Sequence, residues 1–223
     1  ALLRLNTYPS TINGAWVNNI PIKQANSEAS NGVVHTVAAL VAPPSRFLWN
    51  RIDTDPDLTY LRAAIKRADS GFAPVNLSSL EYTLNTIGPN LTVFAPTNAA
   101  FQATITGVAY QTLVAQGIPP ANALPIAQAL ASSPDVFSNP ALFPVLTPTA
   151  VKGIVVYHLL TSRAFSNNLP TTATAVPTAL NGAIAAHPGV TVQATFGVPF
   201  VTAITVKGVA NATASNVLIN PTR

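Results

Sequence analysis

A short apolar run, Leu91-Thr-Val-Phe94, is followed at Pro96 by a residue that cannot continue a strand ladder, and at Thr97-Asn98 by two helix-capping side chains. The chain must therefore leave a buried strand and enter a helix within a few residues, with Phe101 on the inner face of that helix. Either Thr97 or Asn98 supplies the cap. Further along, Thr147-Pro148 is a second helix start, and Val151, Ile154, Val155, His158 and Leu159 recur at helical spacing behind it. That helix ends in the apolar run Val155-Val-Tyr-His-Leu-Leu160.

In this order and at this separation, the segments Leu91-Thr-Val-Phe-Ala-Pro-Thr-Asn-Ala-Ala-Phe101 and Val155-Val-Tyr-His-Leu-Leu160 resemble the two signature motifs of fasciclin-like adhesion domains. The resemblance implies an α+β fold, a wedge of β-sheets with helices packed at one side. It also implies a non-enzymatic extracellular or cell-surface module that binds a protein or polysaccharide. A third segment, Asn31-Gly-Val-Val-His-Thr-Val-Ala-Ala-Leu-Val-Ala-Pro-Pro44, resembles the strand that closes such a domain, yet it precedes the other two motifs. Ala25-Asn-Ser-Glu-Ala-Ser-Asn31 is echoed by Ala210-Asn-Ala-Thr-Ala-Ser-Asn216, as tandem domains would produce. Residues 1–44 are accordingly read as the C-terminal strands of an upstream repeat, and residues 45–223 as a repeat lacking its own last strand. Two accounts fit. The chain is a trimmed piece of a longer protein, or residues 31–42 pair beside Val93 and Phe94 and complete the following domain, as in a circular permutant.

With 223 residues, 48% of them hydrophobic, the chain can bury a sizeable core. Only 8% are charged, and small neutral polar residues are abundant, which favours an exported protein with a neutral partner over nucleic acid, whose backbone demands several positive contacts. The expected location is extracellular, cell-surface or periplasmic, reached by a leader absent from this sequence. No apolar run approaches the ~18 residues of a membrane span. Cysteine is absent, which excludes disulfides and thiolate metal sites. Arg62, Lys66 and Arg67 form the one local basic cluster, read as the solvated face of a helix.

Alternation and punctuation give a coarse element map. Strands are expected at 11–22 and 31–42, with Pro43-Pro44 as a stiff link. A helix starts at Asp55-Pro56 with Leu58, Leu61, Ile65 and Ala68 on one face, and a shorter one starts at Asn76 with Leu77, Leu80 and Leu84. Residues 119–146 hold Pro125, Pro134, Pro140 and Pro144, which predict short helical pieces. Thr191-Val-Gln-Ala-Thr-Phe196 and Phe200-Val-Thr-Ala-Ile-Thr-Val206 predict a hairpin around Gly197-Val-Pro199.

Catalytic patterns are lacking. His35, His158 and His187 are far apart with no second ligand at metal spacing, there is no Gly-x-Ser-x-Gly elbow or phosphate-binding glycine loop, and no cofactor is implied. Asp53, Asp55 and Asp57 lack the glycine and distal glutamate of a calcium loop and read as helix-capping residues. Tyr157 and His158 occupy the region that adhesion by animal fasciclin-like proteins uses, although in this apolar run a structural role is favoured for both. Asn98 is weighed the same way. Trp16 and Trp49, the two tryptophans, are the candidate aromatic anchors if they are exposed.

Overall fold

The computed structural model describes residues 7–42, 44–73, 76–197 and 200–219. Pro43 of the expected link, and Val198 and Pro199 of the expected hairpin turn, lie outside the described residues. The chain opens with strands β1 (Pro9–Ser10), β2 (Trp16–Val17), β3 (Ile20–Ala29) and β4 (Gly32–Val37). Helices α1 (Leu48–Thr54), α2 (Thr59–Ala68) and α3 (Leu80–Leu84) lead to β5 (Thr92–Val93). Helices α4 (Asn98–Ala115), α5 (Pro120–Leu130) and α6 (Pro148–Tyr157) lead to β6 (Leu159–Leu160). Strands β7 (Thr174–Val176), β8 (Val190–Gly197), β9 (Phe200–Lys207) and β10 (Ser215–Asn216) finish it. The class is α+β, and every strand pairing is antiparallel.

Two compact units share the chain discontinuously. The sheet unit takes the residues through Ser45, then Ser162–Pro177, then the residues from Ala186 onward; the helical unit takes Arg46–Thr161 and Thr178–Ala185.

In the sheet unit, one sheet has the order β1-β2-β3-β4 and the other β10-β9-β8-β7. Alternation in β8 sends Val190, Val192 and Ala194 inward, and Ile204 of β9 pairs with Ala194. The N-terminal segment is tied to the rest of the unit by asparagines. Asn13, in the left-handed region at φ 56°, donates its side-chain amide to the carbonyls of Asn167 (2.9 Å) and Leu169 (3.2 Å). The Ser10 hydroxyl donates to Asn168 Oδ1 at 3.0 Å. The buried ring of Trp16 leans on Phe196 with centroids 6.4 Å apart.

The expected strand over 11–22 is therefore a turn at Ile12–Gly14 followed by β2 and the start of β3. Asn13 and Gly14 at positive φ break the extension, and β3 runs on through Lys23–Ala29, where exposure on both faces removes the alternation a reader relies on. The strand expected at 31–42 narrows to β4, and its partner is β3, through the tight turn at Ser30-Asn31, not Val93–Phe94. The local partner wins because closing a two-residue loop costs far less chain entropy than closing a long one. The echoed segments also differ in place: residues 25–31 run along β3 into its turn, whereas 210–216 form a bend and then β10.

The helical unit holds one continuous core. Helix α2 buries Tyr60, Leu61, Ala64, Ile65 and Ala68 and packs on α6, which buries Val151 and Val155. Helix α4 buries Phe101, Ile105, Ala109 and Leu113, an i, i+4 row that receives the alanine row Ala123, Ala127 and Ala131 of α5 and its cap. Small side chains on α5 let the two helices approach closely. Pro125 sits inside α5 without ending it, contrary to expectation. Its ring is exposed, so the Ala121 carbonyl that loses an amide partner meets water instead.

The short helix expected from Asn76 starts at Leu80, because the Ser79 hydroxyl accepts from Tyr82 N–H and the Asp69 carboxylate accepts from Leu80 and Glu81 N–H at 2.8 and 2.9 Å. Asn76 caps a preceding turn, and Leu77 is 76% exposed. The Asp55-Pro56 start opens a 3₁₀ turn, Pro56–Leu58, before α2 begins.

Candidate functional site

The two motifs meet in the backbone. Strand β5 pairs with β6 in the register Thr92↔Leu160 and Val93↔Leu159, and Phe94 N–H extends the ladder to the His158 carbonyl at 3.0 Å. The end of the second motif is thus a strand, where helical spacing continued to Leu159 in the sequence. His158 itself closes α6: its Nδ1 lies 2.8 Å from the Ile154 carbonyl. Since a carbonyl only accepts, Nδ1 carries the proton. The Tyr157 and His158 rings stand edge to face with centroids 5.9 Å apart.

Burial holds the His158 imidazole below its ordinary pKa, against an upward pull from the hydrogen bond to Ile154. In the unfolded chain the same ring takes up a proton near pH 6.5. A proton-binding excess in the unfolded state makes stability fall as pH drops. Stability linked to His158 is therefore complete above about pH 6.5 and declines below it until the folded-state ring also protonates. Urea midpoints between pH 7.5 and 5 are expected to fall, and His158→Gln is expected to flatten that decline.

Asn98 does not cap its own helix. Thr97 does, its hydroxyl accepting from Ala100 N–H at 3.4 Å. Asn98 instead clasps the start of α2: its Oδ1 accepts from the Thr59 hydroxyl and from Tyr60 N–H, each at 3.1 Å, and its Nδ2 donates to the Pro56 carbonyl at 2.8 Å. Tyr60, so placed, donates its hydroxyl to the Ala131 carbonyl at 2.6 Å and stacks on Phe101. Asn98→Ala is expected to cost about 2 kcal/mol, the upper range of a lost cap, because three partners lose their bonds at once. Chemical unfolding of the two proteins checks this. A loss below about 0.5 kcal/mol would show that water replaces the clasp.

Neither tryptophan offers a surface anchor. Trp16 is 4% exposed with its indole N–H on the Asn13 carbonyl, and Trp49 is 7% exposed in the helical core. Each buries its apolar area inside its own unit instead. Asp53 pairs with Arg62 at 3.6 Å and Asp55 caps Asp57 N–H, so the acidic triplet is engaged along the start of α2. Among the described residues, no three His, Asp or Glu side chains gather as a metal ion would need.

A concave surface of the helical unit lies elsewhere. Helix α2 and the 3₁₀ turn Pro134–Ser138 enclose a cleft of about 350 Å³. Arg62, Lys66 and Arg67 of α2 line it together with Asp135, Ser138 and Phe143. Arg67 is fixed: Nε donates to the Leu146 carbonyl at 2.8 Å, and the guanidinium lies over the Phe143 ring, 4.0 Å from its centroid. The basic cluster read as a solvated helix face therefore forms a wall of a cleft. The rest of its lining was not foreseen, because Asp135, Ser138 and Phe143 come from the proline-rich segment far along the sequence, which no periodicity connects to α2.

No family model and no curated protein matches this chain. Among the described residues, no helix is long and apolar enough to cross a membrane.

Proposed function

We propose that this chain is a fasciclin-like adhesion module, its sheets forming the family's β wedge. It acts outside the cell or at its surface and holds a protein or polysaccharide partner by equilibrium binding without catalysis. The reading is carried by one observation. The two segments that resemble the fasciclin-like signatures are hydrogen-bonded partners in the β5–β6 ribbon, which supports reading them together. The low content of charged residues, 8%, supports an exported setting. Tandem repetition would add several weak contacts by avidity.

Since Asn98 and His158 are engaged in holding the ribbon and the start of α2, and both tryptophans are buried, binding falls to other surface residues. An array of glycans and matrix proteins, probed with the whole chain at low and moderate salt, tests the proposal. Saturable, selective binding supports it. Silence from a folded sample leaves a structural spacer of the cell envelope as the better reading.

A further inference from the structure

We propose that the cleft between α2 and the Pro134–Ser138 turn binds an acidic sugar residue, one bearing a carboxylate or sulfate group. The proposal rests on the adhesion reading, whose partner chemistry it names. Charge is the first argument. Three cations, Arg62, Lys66 and Arg67, line the cleft with one carboxylate, Asp135, while Asp53 pairs with Arg62, in a chain of which only 8% is charged. The Lys66 ammonium is exposed and has no bonded partner among the described residues. Arg62 pairs with the Asp53 carboxylate at 3.6 Å and donates to the Asp53 carbonyl at 3.4 Å, and the ion pair is solvent-exposed and correspondingly weak. Arg67 is held by Leu146 and Phe143 through Nε and its face, which leaves its terminal N–H groups to meet an acid in a fixed geometry.

The second argument is the rest of the lining. Thr59, Ser70 and Ser138 line the same cleft; the Thr59 and Ser70 hydroxyls donate to Asn98 Oδ1 and to the Lys66 carbonyl, which leaves their lone pairs to accept from sugar hydroxyls. Phe143, 38% exposed beneath the Arg67 guanidinium, adds apolar surface at the rim. At about 350 Å³ the volume lies at the small end of ligand sites, which run from about 300 to 1,000 Å³. The competing anions fit less well. The backbone N–H of Tyr60, at the start of α2, is already taken by Asn98, so this helix end lacks that donor for a bare phosphate. Nucleic acid draws its affinity from a row of phosphate contacts that three clustered cations do not supply.

The test uses the whole chain, titrated by calorimetry and two-dimensional amide NMR with an oligogalacturonate, its neutral methyl ester, a sulfated oligosaccharide and inorganic sulfate. Either acidic saccharide is expected to bind saturably, with amide shifts centred on α2 and the Pro134–Ser138 turn, and the ester is expected not to bind. Comparing the two saccharides tells carboxylate from sulfate. Lys66→Gln, on an exposed side chain that the fold does not use, is expected to weaken binding about two- to fivefold, and the double change with Arg62→Gln more than either alone. Equal binding of the ester, shifts centred elsewhere, inorganic sulfate matching the sulfated saccharide, or no effect of Lys66→Gln would overturn the assignment. If array partners bind tightly and Lys66→Gln leaves them unchanged, the cleft assignment falls and the adhesion reading stands. If the acidic saccharide fills the cleft but the array shows no macromolecular partner, the adhesion reading falls alone.

Discussion

Gly189→Ala is expected to destabilise the sheet unit by more than about 4 kcal/mol, a size reserved for changes that force the backbone to move. Gly189 sits at φ 76°, in the region that side chains disfavour, and its amide N–H donates to His187 Nδ1 at 3.0 Å. A β-carbon there would lie 2.7 Å from the Val176 carbonyl carbon and 3.0 Å from Pro177 Cα, with the Val176 oxygen closer still. These are main-chain atoms, and Val176 is locked opposite Val190 in the β7–β8 pairing, so no flexible side chain can yield. Gly71→Ala and Gly117→Ala separate the two causes. Both have positive φ, at 93° and 88°, with nothing within 4 Å, and each is expected to cost only about 1 kcal/mol. Urea unfolding of the three variants checks the order. If Gly189→Ala behaves like the other two, the Val176 carbonyl gives way more easily than its ladder position implies.

Phe137→Ala is expected to cost about 3–5 kcal/mol, the range for emptying a buried aromatic site. Phe137 is 2% exposed and meets Phe101 edge to face at 6.0 Å, while Phe101 in turn stacks on Tyr60. The aromatic row therefore links the 3₁₀ turn, α4 and α2, and truncation at one end leaves a void that rigid neighbours cannot fill. Phe137→Leu keeps most of the volume and is expected to lose about 1 kcal/mol or slightly more. Thermal or urea unfolding followed by far-UV circular dichroism reports the loss. A change under about 1 kcal/mol for the alanine variant would mean that the turn collapses onto α4.

Elements with strong local punctuation were legible in the sequence. Thr147-Pro148 and Thr97 both cap where their residue types predict, and the period-2 pattern of Thr191–Phe196 and Phe200–Val206 gives the β8–β9 hairpin. Elements that depend on distant partners were not. Helix α1, Leu48–Thr54, is seven residues long, and its cap position is Phe47, with no Ser, Thr, Asp or Asn side chain there to announce it. Strand β7 has only three residues and takes its meaning from β8. Asn76 and Ser79 are both fair helix caps by residue type, and the choice between them is made by the Asp69 carboxylate from the end of α2. The same holds for function. The cationic wall of the cleft was visible as Arg62, Lys66 and Arg67, whereas Asp135, Ser138 and Phe143 reach it only through tertiary packing.

The chain enters and leaves each unit more than once, and this sets a timetable for synthesis. Strands β1 to β4 leave a ribosome before the rest of their unit, yet Ser10 and Asn13 find their partners at residues 154 to 158 positions later, and β8 and β9 come later still. At roughly 5–20 residues per second, those strands wait on the order of ten to thirty seconds beside nascent helices before their unit can close. Neither unit can be cut out as a continuous piece, so a protease that nicks either body leaves fragments that must stay together to stay folded. During that interval β4, an edge strand with Val33 and Val34 exposed, is the segment a chaperone or a neighbouring nascent chain would meet first.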